Sequence, residues 1–208
     1  MIDTLYWKQG IQRLCGIDEA GRGPLAGPCV VAAVMMPPNV IIKGVNDSKK
    51  LSAKKREALA SVIKEIALAY HIEVVDEATI DTDNIYQATK HAMMKAAQSL
   101  NAEFTLTDAM PLGPFIAHES IIKGDQKSHT IAAASILAKV TRDAYMGELA
   151  INFPDYGFEK HKGYATKAHL EALETYGPTP HHRRSFAPVS KGLKNQPTLF
   201  DDPHQNHR

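Results

Sequence analysis

Cysteine is nearly absent: of 208 residues only Cys15 and Cys29 carry a thiol, too few for a disulfide framework or a zinc cluster. Both stand in apolar, strand-like surroundings and read as buried free thiols. No apolar run approaches the roughly 20 residues that cross a bilayer; the longest, Val30 to Met36, is of strand length. The N-terminus Met-Ile-Asp-Thr-Leu-Tyr-Trp-Lys lacks a basic start followed by an apolar stretch, so no secretory signal is expected. These absences together point to a cytoplasmic protein, with a monomer as the default. Internal repeats are missing too. Net charge is small, a formal +1, which excludes a uniformly basic surface. The charge is unevenly placed, however: residues 159–194 hold seven Lys/Arg, three Asp/Glu and four His. Such a segment can track phosphates without making the whole protein adhesive. A merely solvated face has the same composition.

What is present is an alternation of element types. Ile11 to Ala20 and Pro28 to Met36 read as strands, joined by the turn Gly21-Arg22-Gly23-Pro24, and both are apolar enough to be central in a sheet. Ser52 is a good N-cap for a helix whose Leu59, Val62, Ile63 and Ile66 form one stripe. A strand at His71 to Val75, a helix from Thr82 or Asp83 to about Leu100, and strands at Phe104 to Thr107 and Ala117 to Ile122 follow. Next comes a long helix, Thr130 to Ala150, whose Ala132-Ala133-Ala134-Ser135 stretch suits close approach to a sheet. Pro154 ends it, and a last helix, Thr166 to Tyr176, stops at Gly177-Pro178. The order predicts an α/β fold with a mixed central sheet flanked by helices.

The acids fall at strand ends: the pair Asp18 and Glu19, then Asp108, then Asp125 after the next strand. Ligands bind at strand ends in open α/β sheets. Magnesium prefers oxygen ligands and is held by one or two carboxylates together with substrate phosphates, so converging acids fit two-metal phosphodiester chemistry. Adjacent strand residues point to opposite faces, so the strand is expected to end or bulge at Asp18-Glu19 if both are to face one metal. Spacing alone does not decide between that and a solvated acid pair.

The stretches Gly16-Ile-Asp-Glu-Ala-Gly-Arg-Gly-Pro-Leu-Ala-Gly-Pro28, Asp47-Ser-Lys-Lys-Leu51, Ala132-Ala-Ala-Ser-Ile-Leu-Ala-Lys-Val-Thr-Arg-Asp143, His161-Lys-Gly-Tyr-Ala-Thr166 and Gly177-Pro-Thr-Pro-His-His-Arg-Arg-Ser-Phe186 together resemble bacterial ribonuclease HII. The resemblance runs from about Cys15 to Val189. It implies a ribonuclease H-like fold, with three antiparallel strands followed by parallel ones and a helical C-terminal part. It implies cleavage of the RNA strand of RNA–DNA hybrids and incision 5′ of single ribonucleotides in duplex DNA. The ends would be 3′-hydroxyl and 5′-phosphate, with Mn2+ or Mg2+ as cofactor. By motif matching Asp18, Glu19 and Asp108 are metal ligands and catalytic residues, and Asp125, on a shorter anchor, is the fourth. Gly21, Arg22, Gly23 and Tyr164 match the residues that read the ribose and its junction with the next deoxynucleotide. Glycine lets a backbone approach that sugar closely, and the 2′-hydroxyl is what separates RNA from DNA. Ser48, Lys49, Arg183 and Ser185 resemble phosphate-contacting residues that position a duplex without reading it.

Other residues have plainer readings. Lys139 and Asp143 are spaced for a helix-face ion pair, Arg142 is ambiguous, and His181 and His182 read as loop residues near the substrate. Residues 1–190 are expected to form the catalytic domain, with 191–208 as a disordered tail. In that tail Gln196-Pro-Thr-Leu-Phe200 is similar to the short peptides with which bacterial replication proteins bind the sliding clamp, Gln196, Leu199 and Phe200 being the contact residues and Pro197 the departure. Competing readings are another nuclease of the same fold, which needs no ribose-inspecting turn, and a non-catalytic nucleic-acid binding module, whose sign would be a missing acid.

Overall fold

The computed structural model describes residues 1–45 and 51–194. The first element is a short helix, α1 (Asp3–Lys8), followed by strands β1 (Leu14–Ala20) and β2 (Cys29–Met35). Helix α2 (Ala53–Ile66) leads to β3 (Ala69–Val75), α3 (Glu77–Asp83) and α4 (Ile85–Ser99). Then come β4 (Phe104–Asp108), β5 (His118–Ile121), the single turn α5 (Gly124–Lys127) and the long helix α6 (His129–Asn152). A 3-10 turn at Pro154–Tyr156 precedes three C-terminal helices, α7 (Phe158–His161), α8 (Lys167–Tyr176) and α9 (Ala187–Lys194).

The five strands form one sheet in the order β3-β2-β1-β4-β5. The first three are mutually antiparallel, and β4 and β5 add in parallel on the other side of β1. Every residue of β2 is buried, because its two faces meet two different layers. Val31, Ala33 and Met35 pack with Ala88, Ala92, Met93 and Ala96 of α4. Val30, Ala32 and Val34 pack with Ala132, Ala133, Ile136 and Leu137 of α6 and with Ala60 and Ile63 of α2. The small residues of α6 serve close approach as expected. A Cβ on Gly16 of β1 would lie 2.2 Å from the backbone carbon of Thr130, so the helix start and the strand touch through main chain.

Local chemistry sets the helix starts. Ser52, Ser128 and Thr166 accept hydrogen bonds from the backbone N–H of Lys55, Ile131 and His169, capping α2, α6 and α8. Helix α6 has a second cap from far away: buried Asp3 accepts from the N–H groups of His129 and Thr130 and from the hydroxyls of Ser128 and Thr130, all at 2.9 to 3.0 Å. A carboxylate at that position satisfies orphan donors and complements the helix dipole. Helices α1, α3, α5, α7 and α9 were not expected from the sequence. The last of them carries helix to Lys194, across the expected boundary at residue 190; the rest of the expected tail lies outside the described residues. Among the described residues no helix is long and apolar enough to cross a membrane. Cys15 and Cys29 are buried free thiols, and burial pushes them up to about 12 and about 11.

Candidate active site

The register of the sheet gathers the acids. Ile17 of β1 pairs with Thr107 of β4 in parallel, so the next residues on each strand, Asp18 and Asp108, come level on neighbouring strands with side chains toward α6. There Ser135 of α6 hydrogen-bonds the Asp18 carboxylate. Strand β4 ends at Asp108, and Ala109 leaves it with φ 52°. Thr107 Oγ1 donates to the Met110 carbonyl at 2.6 Å, which ties the turn that presents Asp108. The backbone N–H of Gly124 donates to Asp108 Oδ1 at 2.7 Å, and Asp125, the next residue, is buried in the first turn of α5.

One expectation needs correction. The strand was to end or bulge at the Asp18-Glu19 pair, yet β1 runs through with unbroken antiparallel register, Asp18 opposite Ala32, Glu19 opposite Val31 and Ala20 opposite Val30. The sheet itself supplies the opening. Beyond the level of Asp108, β1 keeps a hydrogen-bonded neighbour on one side only, so Glu19 sits on the rim and lines the same cleft as Ser135. That cleft, about 330 Å³, is also lined by Gly21, Arg56, Lys139, Arg142 and Tyr164.

Electrostatics mark the spot. Burial, with Glu19 and Asp108 adding like charge, holds the Asp18 carboxyl well above the usual range. Burial also raises Glu19; Arg22 opposes it, its Nη1 3.4 Å from Glu19 Oε1, and Asp108 adds to the rise. Glu19 Oε2 is buried, and among the described residues nothing hydrogen-bonds it. Crowded, desolvated carboxylates of this kind require a cation to be stable as anions. The donors are all carboxylate oxygens, the set that a hard divalent ion prefers, and such an ion asks for one or two carboxylates plus water and phosphate. As placed, no three acidic, histidine or cysteine side chains among the described residues grip one point together. The chemistry of the donor set, carboxylate oxygens alone, fits a hard divalent ion completed by water and phosphate oxygens.

The remaining predicted residues divide. Gly21 has φ 97°, and a Cβ there would run into the Arg142 side chain at 2.0 Å, so only glycine fits. At Gly23 a Cβ would touch Tyr164 Cε1 at 3.6 Å; the glycine keeps open the space between turn and ring. Tyr164 is half exposed, with the Arg142 guanidinium 6.0 Å from its ring centre. Arg183, expected at phosphates, is fully buried and donates to the carbonyls of Gly21, Arg22 and Gly27 at 2.6 to 3.0 Å. It is a strut under the Gly-Arg-Gly turn rather than a group that reaches solvent. Ser185 is exposed but tied to α3, its N–H and hydroxyl both donating to Asp81 Oδ1. Ser48 and Lys49 lie outside the described residues, as do Gln196, Leu199 and Phe200.

Lys139 and Asp143 form the expected ion pair at 2.7 Å. Arg142 is buried and donates to the carbonyls of Ala26, Pro28 and Lys162, joining the loop after β1 to the loop before α8. His182, expected as a loop residue near the substrate, lies in the loop between α8 and α9 but is buried there. The sequence did not single out Ser135, Arg56 or His169; the one local signal was that Ser135 closes the small-residue stretch of α6.

Comparisons with known proteins agree with one another. The family model described as Ribonuclease HII matches residues 15–189. Ribonuclease HII of Bacillus cytotoxicus is 55% identical over 191 residues, 91% of this chain and 74% of that relative. The crystal structure of ribonuclease H2 from Pyrococcus horikoshii has a TM-score of 0.76 at 27% identity, covering 87% of this chain and 97% of that one. The structure of the PCNA:RNase HII complex from Archaeoglobus fulgidus has a TM-score of 0.73 at 29% identity, covering 91% and 100%. The mixed sheet with its helical C-terminal part is the ribonuclease H-like fold that the motifs imply.

Proposed function

The chain belongs to the ribonuclease HII family and is an endoribonuclease, and from that premise we propose that it hydrolyses the RNA strand of RNA–DNA hybrids and incises 5′ of single ribonucleotides embedded in duplex DNA. The products carry 3′-hydroxyl and 5′-phosphate ends. One observation carries the reading: Glu19, crowded by Asp18 and Asp108 at the sheet rim, lines a cleft together with Gly21 of the glycine turn and the half-exposed Tyr164.

Asp18, Glu19, Asp108 and Asp125 hold Mg2+ or Mn2+ and are the catalytic residues. Bound there, two such ions would supply positive charge to the reacting phosphodiester. The protein's own part is positioning. Ser135 orients Asp18, the Gly124 N–H orients Asp108, and Arg22 restrains Glu19. Gly21, Arg22 and Gly23 bring backbone to the ribose while Tyr164 packs on the sugar that follows. Ser48, Lys49 and Ser185 contact phosphates; Arg183 serves the substrate indirectly by holding the turn. The tail peptide with Gln196, Leu199 and Phe200 binds a sliding clamp, a reading supported by its motif and by the archaeal relative solved with PCNA. It tethers a cytoplasmic enzyme to DNA without adding contacts at the site.

The test is a set of three labelled duplexes incubated with Mg2+ or Mn2+: an RNA–DNA hybrid, a DNA duplex with one ribonucleotide, and an all-DNA duplex. The first two should be cut, the second on the 5′ side of the ribonucleotide, and the third left whole. Cutting of all-DNA duplex, or no cutting of the single-ribonucleotide duplex, would remove the proposed specificity. For the tail, a chain ending at Lys194 should lose clamp binding in calorimetry and keep full activity on short duplexes; equal clamp binding by both chains would end that part.

A further inference from the structure

Tyr164 reaches the cleft from a loop, yet its backbone is held by buried imidazoles whose protons can be assigned. The Thr179 N–H points at His182 Nδ1 at 2.9 Å. A backbone N–H can only donate, so that nitrogen is bare, and neutral His182 carries its proton on Nε2. His182 Nε2 lies 3.0 Å from His169 Nε2, so His169 accepts there and carries its own proton on Nδ1. His169 Nδ1 is 2.9 Å from the Tyr164 carbonyl and donates to it. One fixed donor thus orders a chain of three hydrogen bonds that ends on Tyr164. His161 follows the same rule beside it: Nδ1 accepts from the Gly163 N–H and Nε2 donates to the Tyr156 carbonyl at 2.7 Å. Its ring stacks on His169, centroids 4.5 Å apart.

The other end of the chain is anchored to the Gly-Arg-Gly turn. His182 bridges Ala26, the His181 carbonyl accepts from Gly27 N–H, and Arg183 holds the carbonyls of Gly21 and Arg22. The segment Thr179–Arg183 therefore grips both halves of the cleft that Gly23 and Tyr164 face across. His169 and His182 are 0% and 1% exposed, so neither touches substrate.

We propose that His169 and His182 are positioning residues for ribonucleotide incision: their hydrogen-bond chain fixes the backbone of Tyr164 at its spacing from the Gly21–Gly23 turn. This rests on the proposed role of Tyr164. The chain is complete only while both rings are neutral, and burial, with the neighbouring rings adding to it, lowers His169 and takes His182 down to about 3. Misplacement of a positioning group by even 1 Å can cost up to about a hundredfold in rate.

A double-mutant cycle on the full chain tests it, with His169→Leu, His169→Asn, Tyr164→Ala and the two combinations with Tyr164→Ala assayed on a duplex holding one ribonucleotide. His169→Leu should lower kcat about ten- to hundredfold with KM nearly unchanged. His169→Asn keeps an N–H where Nδ1 donates and should recover most of the loss. Once Tyr164 is replaced by alanine, His169→Leu should have little further effect, because it acts through Tyr164. If His169→Leu does not fold, His182→Gln against His182→Met gives the same contrast, since glutamine keeps a donor at the Nε2 position and methionine does not. Equal losses with Tyr164 in place and with Tyr164→Ala, or no loss where Tyr164→Ala alone is harmful, overturn the positioning role. A harmless Tyr164→Ala would instead overturn the role of Tyr164 itself.

Discussion

Replacing Arg183 separates two roles that a basic residue in a nucleic-acid enzyme can have. Its Nε and Nη2 donate to the Gly27 carbonyl at 3.0 and 2.8 Å, Nη2 also to Gly21 at 2.6 Å, and Nη1 to Arg22 at 2.9 Å. The guanidinium lies 5.1 Å from the Phe186 ring centre as well. In Arg183→Met three carbonyls lose these donors, each at about 1–3 kcal/mol for a buried group. Removing the charge returns part of this, because burying a guanidinium is itself costly. The expected net loss is about 3–5 kcal/mol, seen as a lower urea midpoint with the slope of the transition kept. Arg183→Lys should also destabilise, since one ammonium does not present the planar fork that reaches three carbonyls. Residual binding to duplex, measured against salt, should keep the slope of the intact protein. A phosphate-contacting Arg183 would behave in the opposite way: normal melting, with a salt slope lower by about one. That outcome would refute the strut.

Other predictions concern the core, the pH response and the fourth acid. Gly16→Ala should cost about 3 kcal/mol or more, because its Cβ would lie 2.2 Å from Thr130 main chain and α6 would have to move; cleavage should fall with it as Ser135 leaves Asp18, and an unchanged melt would contradict that packing. His182 has a folded value of about 3 against an ordinary 6.5, so the unfolded chain binds the proton first and stability is lost as pH falls below about 6.5. The loss from this group is about 1.4 kcal/mol at about pH 5.5. It is best read as the change with pH in the melting difference between the intact protein and His182→Gln. That comparison cancels the raised carboxyls of Asp18 and Glu19, which push the other way; a difference independent of pH would count against it. Asp125→Asn should be milder than loss of the other acids and should depend on metal concentration, because water can replace one ligand of a shared site; complete inactivity at saturating metal would contradict this.

Much of the frame was legible because it is written locally. The apolar runs of β1 and β2, the cap Ser52, and the small-residue face of α6 each act within a few residues of themselves. The approach of Asp18 and Glu19 to Asp108 was legible because all three stand at or near strand ends. What was hidden depends on distant partners. Asp3 caps a helix that begins 126 residues later, so nothing around Asp3 announces α1 or its purpose. Arg183 sits in a basic, motif-bearing segment, and neither its burial nor its carbonyl partners can be read from neighbours in sequence. The expected break at Asp18-Glu19 came from the alternation of side chains along a strand, which puts neighbours on opposite faces. The early end of β4 creates the opening instead.

The most direct measurement of the central claim is single-turnover cleavage of the one-ribonucleotide duplex by Asp18→Asn, Glu19→Gln and Asp108→Asn across a titration of Mn2+, with melting recorded on each protein. Amides keep the shape and remove the charge, so all three should lose nearly all cleavage at every metal concentration. Asp18→Asn should melt at or above the temperature of the parent when divalent ion is absent, since it removes a buried, crowded carboxylate. Near-normal cleavage by these variants, with folding intact, would contradict a metal-holding carboxylate site at the rim of the sheet.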